Sequence, residues 1–165
     1  MKQREAWMRE MAVTHDPLRH LLLCTLIQTE EEVLAATLGL SDEQVWLRPH
    51  GLTPLGFHIR HIAESMDRLL TYAEGHALST GQLEILAGEL KDELPLLSLL
   101  VLLEQRLKEA RVRIEALDPT AFSETRLLGR ARIEVPLGTL LAHIAEHIQR
   151  HLGQIATTAK LLRAL

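Results

Sequence analysis

The stretch of residues 96–117, LLSLLVLLEQRLKEARVRIEAL, carries the most regular apolar pattern in the sequence. Its apolar residues recur at alternating spacings of four and three, which is the period of one face of an α-helix. Lysine and arginine side chains near its end favour the negative pole of the helix dipole. We therefore predict a single helix over this stretch. The residues of its apolar face are Leu96, Leu100, Leu103, Leu107, Ala110, Ile114 and Leu117.

A first helix is predicted over residues 17–38, upstream of this stretch. Asp16 can accept hydrogen bonds from free amides as the N-cap, and Pro17 has no amide that would be left unpaired in the first turn. Gly39 suits the left-handed conformation that often follows a helix end. Residues 41–46 then begin with Ser-Asp-Glu-Gln, the pattern of a capping box, and predict a short helical turn.

Two further helices are predicted, one on each side of the central stretch. The earlier one has Thr53 as its N-cap and Pro54 as its first residue, and it ends at Gly75. The later one covers residues 136–164. Each carries one apolar stripe: Leu55, Ile59, Ile62, Met66, Leu69 and Ala73 in the earlier helix, and Leu137, Leu140, Leu141, Ile144, Ile148, Ile155 and Ala159 in the later one.

The remaining segments read as connections. Residues 76–93 hold serine, threonine and two glycines between short apolar clusters, so we predict a connection with one or two helical turns. Residues 125–135 alternate partially around Gly129 and predict a short hairpin. Together these patterns predict one domain over residues 1–165, all-α in class, built as a four-helix bundle with a small β-hairpin before the last helix.

The composition agrees with helix packing and disfavours several classes of protein. Hydrophobic residues make up 47% and aromatic residues 3%, which favours helices over a β-sheet rich in valine and aromatic side chains. The net charge is −4 and the cationic residues are scattered, so no nucleic-acid partner is expected. The most apolar stretch, residues 94–103, is too short to span a bilayer, and the N-terminal residues lack the apolar run of a signal peptide. We expect a cytoplasmic protein without membrane contact, in which the single cysteine, Cys24, is a core residue.

Histidine is the residue type that points to function. Five of the nine histidines lie on two predicted helices: His58 and His61 on one, and His143, His147 and His151 on the last. Residues four apart differ by about 40° around a helix axis, so the last two of these share one face. That face carries the isoleucines of the apolar stripe, where a neutral imidazole needs partners for its nitrogens. Two such rings could clamp one divalent metal ion.

A third ligand would come from the helix around Ile62. Around that helix axis, His58 lies about 40° from Ile62 and His61 about 100° from it, so spacing alone favours His58. His143 continues the row one turn below His147, and could be a ligand, a partner of a ligand or a surface residue. The spacing leaves these alternatives open.

Two segments carry a family resemblance. Residues 53–65, TPLGFHIRHIAES, are followed about 80 residues later by residues 143–155, HIAEHIQRHLGQI. Together with the turn at residues 41–46 and the segment around Gly129, they resemble the DinB/YfiT-like superfamily over nearly the whole chain. One departure is Leu152, where the family often has arginine, and this puts any anion-binding role of that arginine in doubt.

The resemblance implies a four-helix bundle, often a homodimer, with a three-histidine site for nickel or zinc. Its ligands would be His61, which Ile-Ala-Glu follows, and the pair His147 and His151 before Gly-Gln. The resemblance therefore favours His61 over His58 as the third ligand.

Three neutral imidazoles leave a coordination position open, which is typical of catalytic rather than structural sites. Characterised members of the family include thiol S-transferases and thiol-dependent isomerases. The leading hypothesis is therefore a metal-dependent enzyme that transfers a low-molecular-weight thiol to an electrophile. The alternatives are a hydrolase with the same triad, a non-catalytic metal-stabilised dimer, and a bis-histidine haem bundle, which the narrow leucine-rich stripe disfavours. Glu64 and Glu146 are expected on solvated helix faces, while Gln154 could orient a ligand or simply pack.

Overall fold

The computed structural model describes residues 4–9, 16–90 and 93–164. Within these ranges the chain is mostly helical, with six α-helices and one two-stranded antiparallel hairpin. The helices are α1 (Pro17–Thr37), α2 (Asp42–Trp46), α3 (Leu55–Ala73), α4 (Thr80–Gly88), α5 (Leu96–Ala116) and α6 (Leu137–Leu162). The strands are β1 (Thr125–Leu128) and β2 (Ile133–Pro136). No described helix has the length and apolar character needed to cross a membrane.

The four longest described helices share one hydrophobic core. α1 packs against α5 and α6, and α3 packs against the same two helices. Burial of the apolar stripes drives this arrangement, at roughly 25 cal/mol for each Å² of apolar surface removed from water. The predicted all-α class is confirmed as a mostly helical fold. The largest fully buried side chains are Leu22, Leu55, Ile59, Ile62, Met66, Leu70, Leu99, Ile114, Leu137, Leu140, Leu141 and Ile144.

The predicted start of α1 and the capping box of α2 are confirmed. The Asp16 carboxylate accepts hydrogen bonds from two amides of the first turn, the closer being that of Leu18 at 2.9 Å. Gly39 follows α1 with φ +80°, a conformation that glycine adopts without strain from a Cβ. In α2, Ser41 Oγ accepts from the Gln44 amide, and the Gln44 side chain accepts from the Ser41 amide.

α3 begins one residue later than predicted. Pro54, rather than Thr53, is the N-cap, and its extended backbone (φ −59°, ψ 148°) lies outside the helix, with no side chain capping this end. The Trp46 side chain packs against the first turn of α3, beside Gly56. Its indole nitrogen donates to the Leu94 carbonyl at 2.8 Å, which fixes the position of the ring. A Cβ at Gly56 would lie 2.8 Å from a ring carbon of Trp46. The close approach of α2 to α3 therefore requires glycine at position 56.

The connection after α3 contains more helix than one or two turns, because α4 has nine residues. α4 opens with a capping box between Ser79 and Gln82. The Gln82 side-chain amide also donates to Asp67 Oδ2 at 2.7 Å and to Thr71 Oγ1 at 2.8 Å, both on α3. These bonds tie the beginning of α4 to α3. Residues 91 and 92 of the predicted connection lie outside the described residues.

The predicted hairpin is present between α5 and α6, and hydrogen bonds join it to the end of α3 and to the start of α6. Gly129 stands at its turn with φ +65°. Arg126 Nε donates to the carbonyl of Ala73, at the end of α3, over 2.7 Å. The amide of Leu137, the first residue of α6, donates to the Glu124 carbonyl over 2.8 Å. The hairpin therefore sets where α6 begins relative to the end of α3.

The apolar stripes predicted for α5 and α6 behave differently. All seven stripe residues of α6 are buried, as predicted. In α5, Leu99 is fully buried, whereas the predicted Leu96 and Leu100 are only partly buried. The first turns of α5 are so rich in leucine that spacing alone does not select the residue that faces the core.

Candidate metal centre

α3 and α6 pack side by side and bring their histidines together. On α6, His147 and His151 lie one turn apart on the same face, with ring centroids 4.6 Å apart. His61 of α3 faces them: its ring centroid is 4.6 Å from that of His151, and its Nε2 is 3.1 Å from His147 Nε2. One ligand atom from each residue lies within 4.8 Å of the others. His61, His147 and His151 form a cluster, called the triad below, that could hold a metal ion.

The surroundings keep two rings of the triad neutral. Burial, and after it the neighbouring histidines, lower the pKa of His147 to about 4. The same causes lower the pKa of His151 to about 4. At neutral pH each ring therefore keeps an unprotonated nitrogen, which is the form that binds a metal ion.

Two side chains, Glu89 and Phe57, contact the His61 ring outside the triad, and Arg68 in turn holds Glu89. His61 Nδ1 is 2.7 Å from Oε2 of Glu89, a buried residue that follows α4 directly. The other carboxylate oxygen of Glu89 accepts from Arg68 Nη1 at 2.5 Å. Burial acts to raise the pKa of Glu89, but the hydrogen bonds with His61 and Arg68 bring it below its ordinary value. Phe57 stacks on the His61 ring, with centroids 5.2 Å apart and planes 18° apart.

His58 lies beside the triad rather than within it. The residue is 6% exposed, and its Nδ1 is 2.9 Å from Nδ1 of His151. Burial, together with the nearby His61, lowers the pKa of His58 to about 4, so one of the two facing nitrogens donates and the other accepts. Of the two α3 histidines that helical spacing left open, His61 is the one that belongs to the cluster.

The other polar residues singled out from the sequence lie outside the triad. His143 is partly exposed, with 43% of its side chain accessible, and its Nδ1 is 3.1 Å from a carboxylate oxygen of Glu146. Glu146 and Gln154 are both exposed, so the expectation of a solvated position is confirmed for Glu146. For Glu64 it is wrong: the residue is 4% exposed, because it faces α5, where Arg106 donates to its carboxylate at 3.3 Å.

Sequence reasoning missed Arg68 and Glu89. Arg68 follows His61 by seven residues, which places it two turns further along the same face of α3, and this spacing could have indicated a polar partner. Glu89 comes from the connection for which little structure was predicted, and no pattern marks it. Only the packing of α4 on α3 brings its carboxylate to His61.

The residues of the triad fit a divalent metal ion. Imidazole nitrogens are suitable ligands for zinc, nickel, copper and iron. A carboxylate on the second nitrogen of one ring, here Glu89 on His61, is a common feature of metal-binding histidines. The His61 side chain is 19% exposed, so the cluster is open to solvent on one side. Among the described residues the cluster comprises these three side chains, which would leave a coordination position for a further ligand.

Comparison with known proteins identifies a family for this chain. A search of curated proteins finds no match to the sequence. The family model of the DinB superfamily matches residues 25–155, a range that covers well over half of the chain and includes all three residues of the triad. The chain therefore belongs to the DinB superfamily.

Proposed function

We propose that this protein binds one divalent metal ion, nickel or zinc, on His61, His147 and His151. The observation that supports the proposal is the convergence of three imidazoles from two helices within 4.8 Å. Nitrogens that lie so close inside a protein need either a shared proton or a shared cation. The lowered pKa values of His147 and His151 are compatible with a cation, because each ring keeps an unprotonated nitrogen at neutral pH that can bind it.

We further propose that the site is catalytic and transfers a low-molecular-weight thiol to an electrophile. A divalent ion on neutral imidazoles supplies Lewis acidity, which lowers the pKa of a thiol or a water molecule beside it. In the overall reaction the thiol sulfur forms a bond to the electrophilic carbon, and the leaving group departs with the electrons of the bond that breaks. The thiol proton is released to solvent. Phe57, stacked on His61, would supply an apolar surface beside the triad.

The proposal agrees with the burial of the site. The Nδ1 atoms of two triad rings face buried neighbours: that of His151 faces His58, and that of His61 faces Glu89. The His61 side chain nevertheless keeps 19% of its surface exposed, so a small ligand can approach the cluster from solvent. A site that only joined α3 to α6 would not need this opening.

The first test is metal content by elemental analysis of untagged protein after growth with nickel or zinc. We expect about one equivalent in the wild type and its loss in His61→Ala and His151→Ala. His143→Ala is the matched control, because His143 also lies on α6 but is partly exposed and outside the triad. Circular dichroism checks that each variant is folded. A wild type that binds no metal, or a His143→Ala variant that loses it equally, contradicts the metal proposal.

The second test separates thiol transfer from hydrolysis. The metal-loaded protein is given a small thiol and a fluorogenic alkyl halide, and the rate is compared with that of His61→Ala. Thiol transfer predicts product formation that requires both the thiol and the triad. Product that forms from an ester substrate without thiol would instead favour the hydrolase. Metal that raises the melting temperature without either activity would leave a metal-stabilised structural protein.

We also infer that the four long helices form a four-helix bundle. α1 and α3 each pack against both α5 and α6, which is the pattern expected when two helix pairs enclose one core. A homodimer and a cytoplasmic location remain predictions, and light scattering of the purified protein tests the former.

A further inference from the structure

Glu89 is a buried carboxylate with an unusual pair of partners. It directly follows α4 and is 3% exposed. One carboxylate oxygen contacts His61 Nδ1 at 2.7 Å, and the other accepts from Arg68 Nη1 at 2.5 Å. A buried carboxylate is costly unless it is paired, and here a guanidinium and an imidazole share it.

The ionised carboxylate determines which nitrogen of His61 carries the proton. Beside the Arg68 guanidinium Glu89 is ionised, and an ionised carboxylate can only accept hydrogen bonds. His61 Nδ1 therefore donates. The lone pair of the neutral ring is then on Nε2, the atom that lies 3.1 Å from His147 Nε2 inside the triad. Glu89 thus selects the tautomer of His61 that presents a free lone pair to a metal ion.

Glu89 is also held in place from outside the site. The beginning of α4 is tied to α3 through Gln82, which donates to Asp67 Oδ2 at 2.7 Å. Near its end, Arg60 Nη1 donates to the Gly88 carbonyl at 3.3 Å. α4 is therefore fixed to α3 at both ends. This fixes the position of Glu89, directly after α4, next to His61.

The geometry points to Glu89 as a positioning residue of the metal site, with Arg68 keeping its carboxylate ionised and oriented. Glu89 holds the ring of His61 in the orientation and tautomer that metal binding needs. This inference rests on the proposed function, namely that the triad holds a divalent ion. Partners of metal-binding histidines typically change metal affinity about 10–100-fold when they are removed.

Glu89→Gln is the sharpest substitution, because it keeps the shape and removes the charge. An amide has one acceptor oxygen, and Arg68 can bind only to that oxygen. The NH₂ group of the glutamine then faces His61 and donates to Nδ1, which moves the ring proton to Nε2. The wrong nitrogen then faces the triad. The matched control is Glu64→Gln, which alters another buried carboxylate of α3, one that pairs with Arg106 and is not part of the triad.

The test measures zinc affinity by competition with a chromophoric chelator in untagged full-length protein. We expect Glu89→Gln to bind zinc about 10–100-fold more weakly than the wild type, and Glu64→Gln to bind within about 3-fold of it. A second readout needs no metal: ¹⁵N NMR shifts of His61 in metal-free protein should show the proton on Nδ1 in the wild type and on Nε2 in Glu89→Gln.

The outcomes separate this inference from the proposed function. A wild type that binds neither zinc nor, in the same competition assay, nickel overturns the metal site and this role with it. Zinc binding in the wild type with equal affinity in Glu89→Gln overturns only the positioning role, and so does an Nε2 proton on His61 in the wild type. An equal loss of affinity in Glu64→Gln would show a general effect of removing a buried carboxylate, and would also overturn it.

Discussion

The contact between Trp46 and Gly56 makes a specific prediction about stability. Gly56 lies in the first turn of α3, and a Cβ there would lie 2.8 Å from one indole carbon and 3.0 Å from another. Real Cβ atoms do not approach carbon so closely, so Gly56→Ala must displace the indole. The indole cannot move freely, because its nitrogen donates to the Leu94 carbonyl at 2.8 Å.

The expected magnitude follows from two opposing terms. Overpacking of a fitted contact costs about 1–3 kcal/mol. Replacement of glycine by alanine in a helix returns about 0.5–1 kcal/mol. The free energy of unfolding should therefore fall by up to about 2.5 kcal/mol, which for a chain of this size lowers the melting temperature by up to about 10 °C.

Thermal unfolding followed by circular dichroism measures this change, with Gly153→Ala as the matched control. Gly153 is an exposed glycine within α6, and a Cβ there would meet no atom within 4 Å. Gly153→Ala should therefore raise the melting temperature by about 1–4 °C. In a Trp46→Leu background Gly56→Ala should no longer destabilise, because the ring that it strikes is absent. If Gly56→Ala raises the melting temperature as Gly153→Ala does, the reasoning about the indole is refuted.

Two further predictions concern the histidines and α4. The pKa values of His58, His147 and His151 are lowered from 6.5 to about 4 in the folded chain, so the unfolded chain binds more protons between these values. Metal-free protein should thus lose stability as the pH falls from about 6.5 to about 4, and urea unfolding in this range that shows no such loss would contradict the neutral rings. Ser79→Ala removes an N-cap and should destabilise α4 by about 0.5–2 kcal/mol, seen as faster hydrogen exchange of α4 amides. Ser41→Ala, which removes the equivalent cap of α2, should leave exchange in α4 unchanged.

Much of the helical framework could be predicted because it depends on local chemistry. Asp16 caps α1, and the stripe of α6 is buried in full. Where neighbouring residues could fill the same position, sequence patterns did not identify the right one. The N-cap of α3 is Pro54 rather than the predicted Thr53, and Leu99 occupies the core position at the start of α5. These choices depend on what packs against each helix, which a single helix does not encode.

The site shows a different limit of prediction. Helical spacing favoured His58 because it lies nearer the centre of the apolar stripe, and His58 is indeed the more buried histidine of α3 at 6% exposure. A site that admits a ligand needs a ring at the edge of the stripe, where His61 lies with 19% of its side chain exposed. Family resemblance, rather than spacing, pointed to His61. Metal binding by these residues stays a prediction.

The hairpin between α5 and α6 has a consequence for how the chain can vary in length. It is bound to the end of α3 through Arg126 and to the start of α6 through Leu137, so the position of Leu137 relative to α3 is fixed. His147 lies ten residues after Leu137, and this number of residues places it opposite His61. One residue inserted between Leu137 and His147 would turn the α6 histidines by about 100° and shift them by about 1.5 Å. Residues inserted at Gly129, in the turn of the hairpin and before Leu137, would leave the number of residues between Leu137 and His147 unchanged. The hairpin thus divides the chain into a part whose length is constrained by the triad and a tip whose length is not.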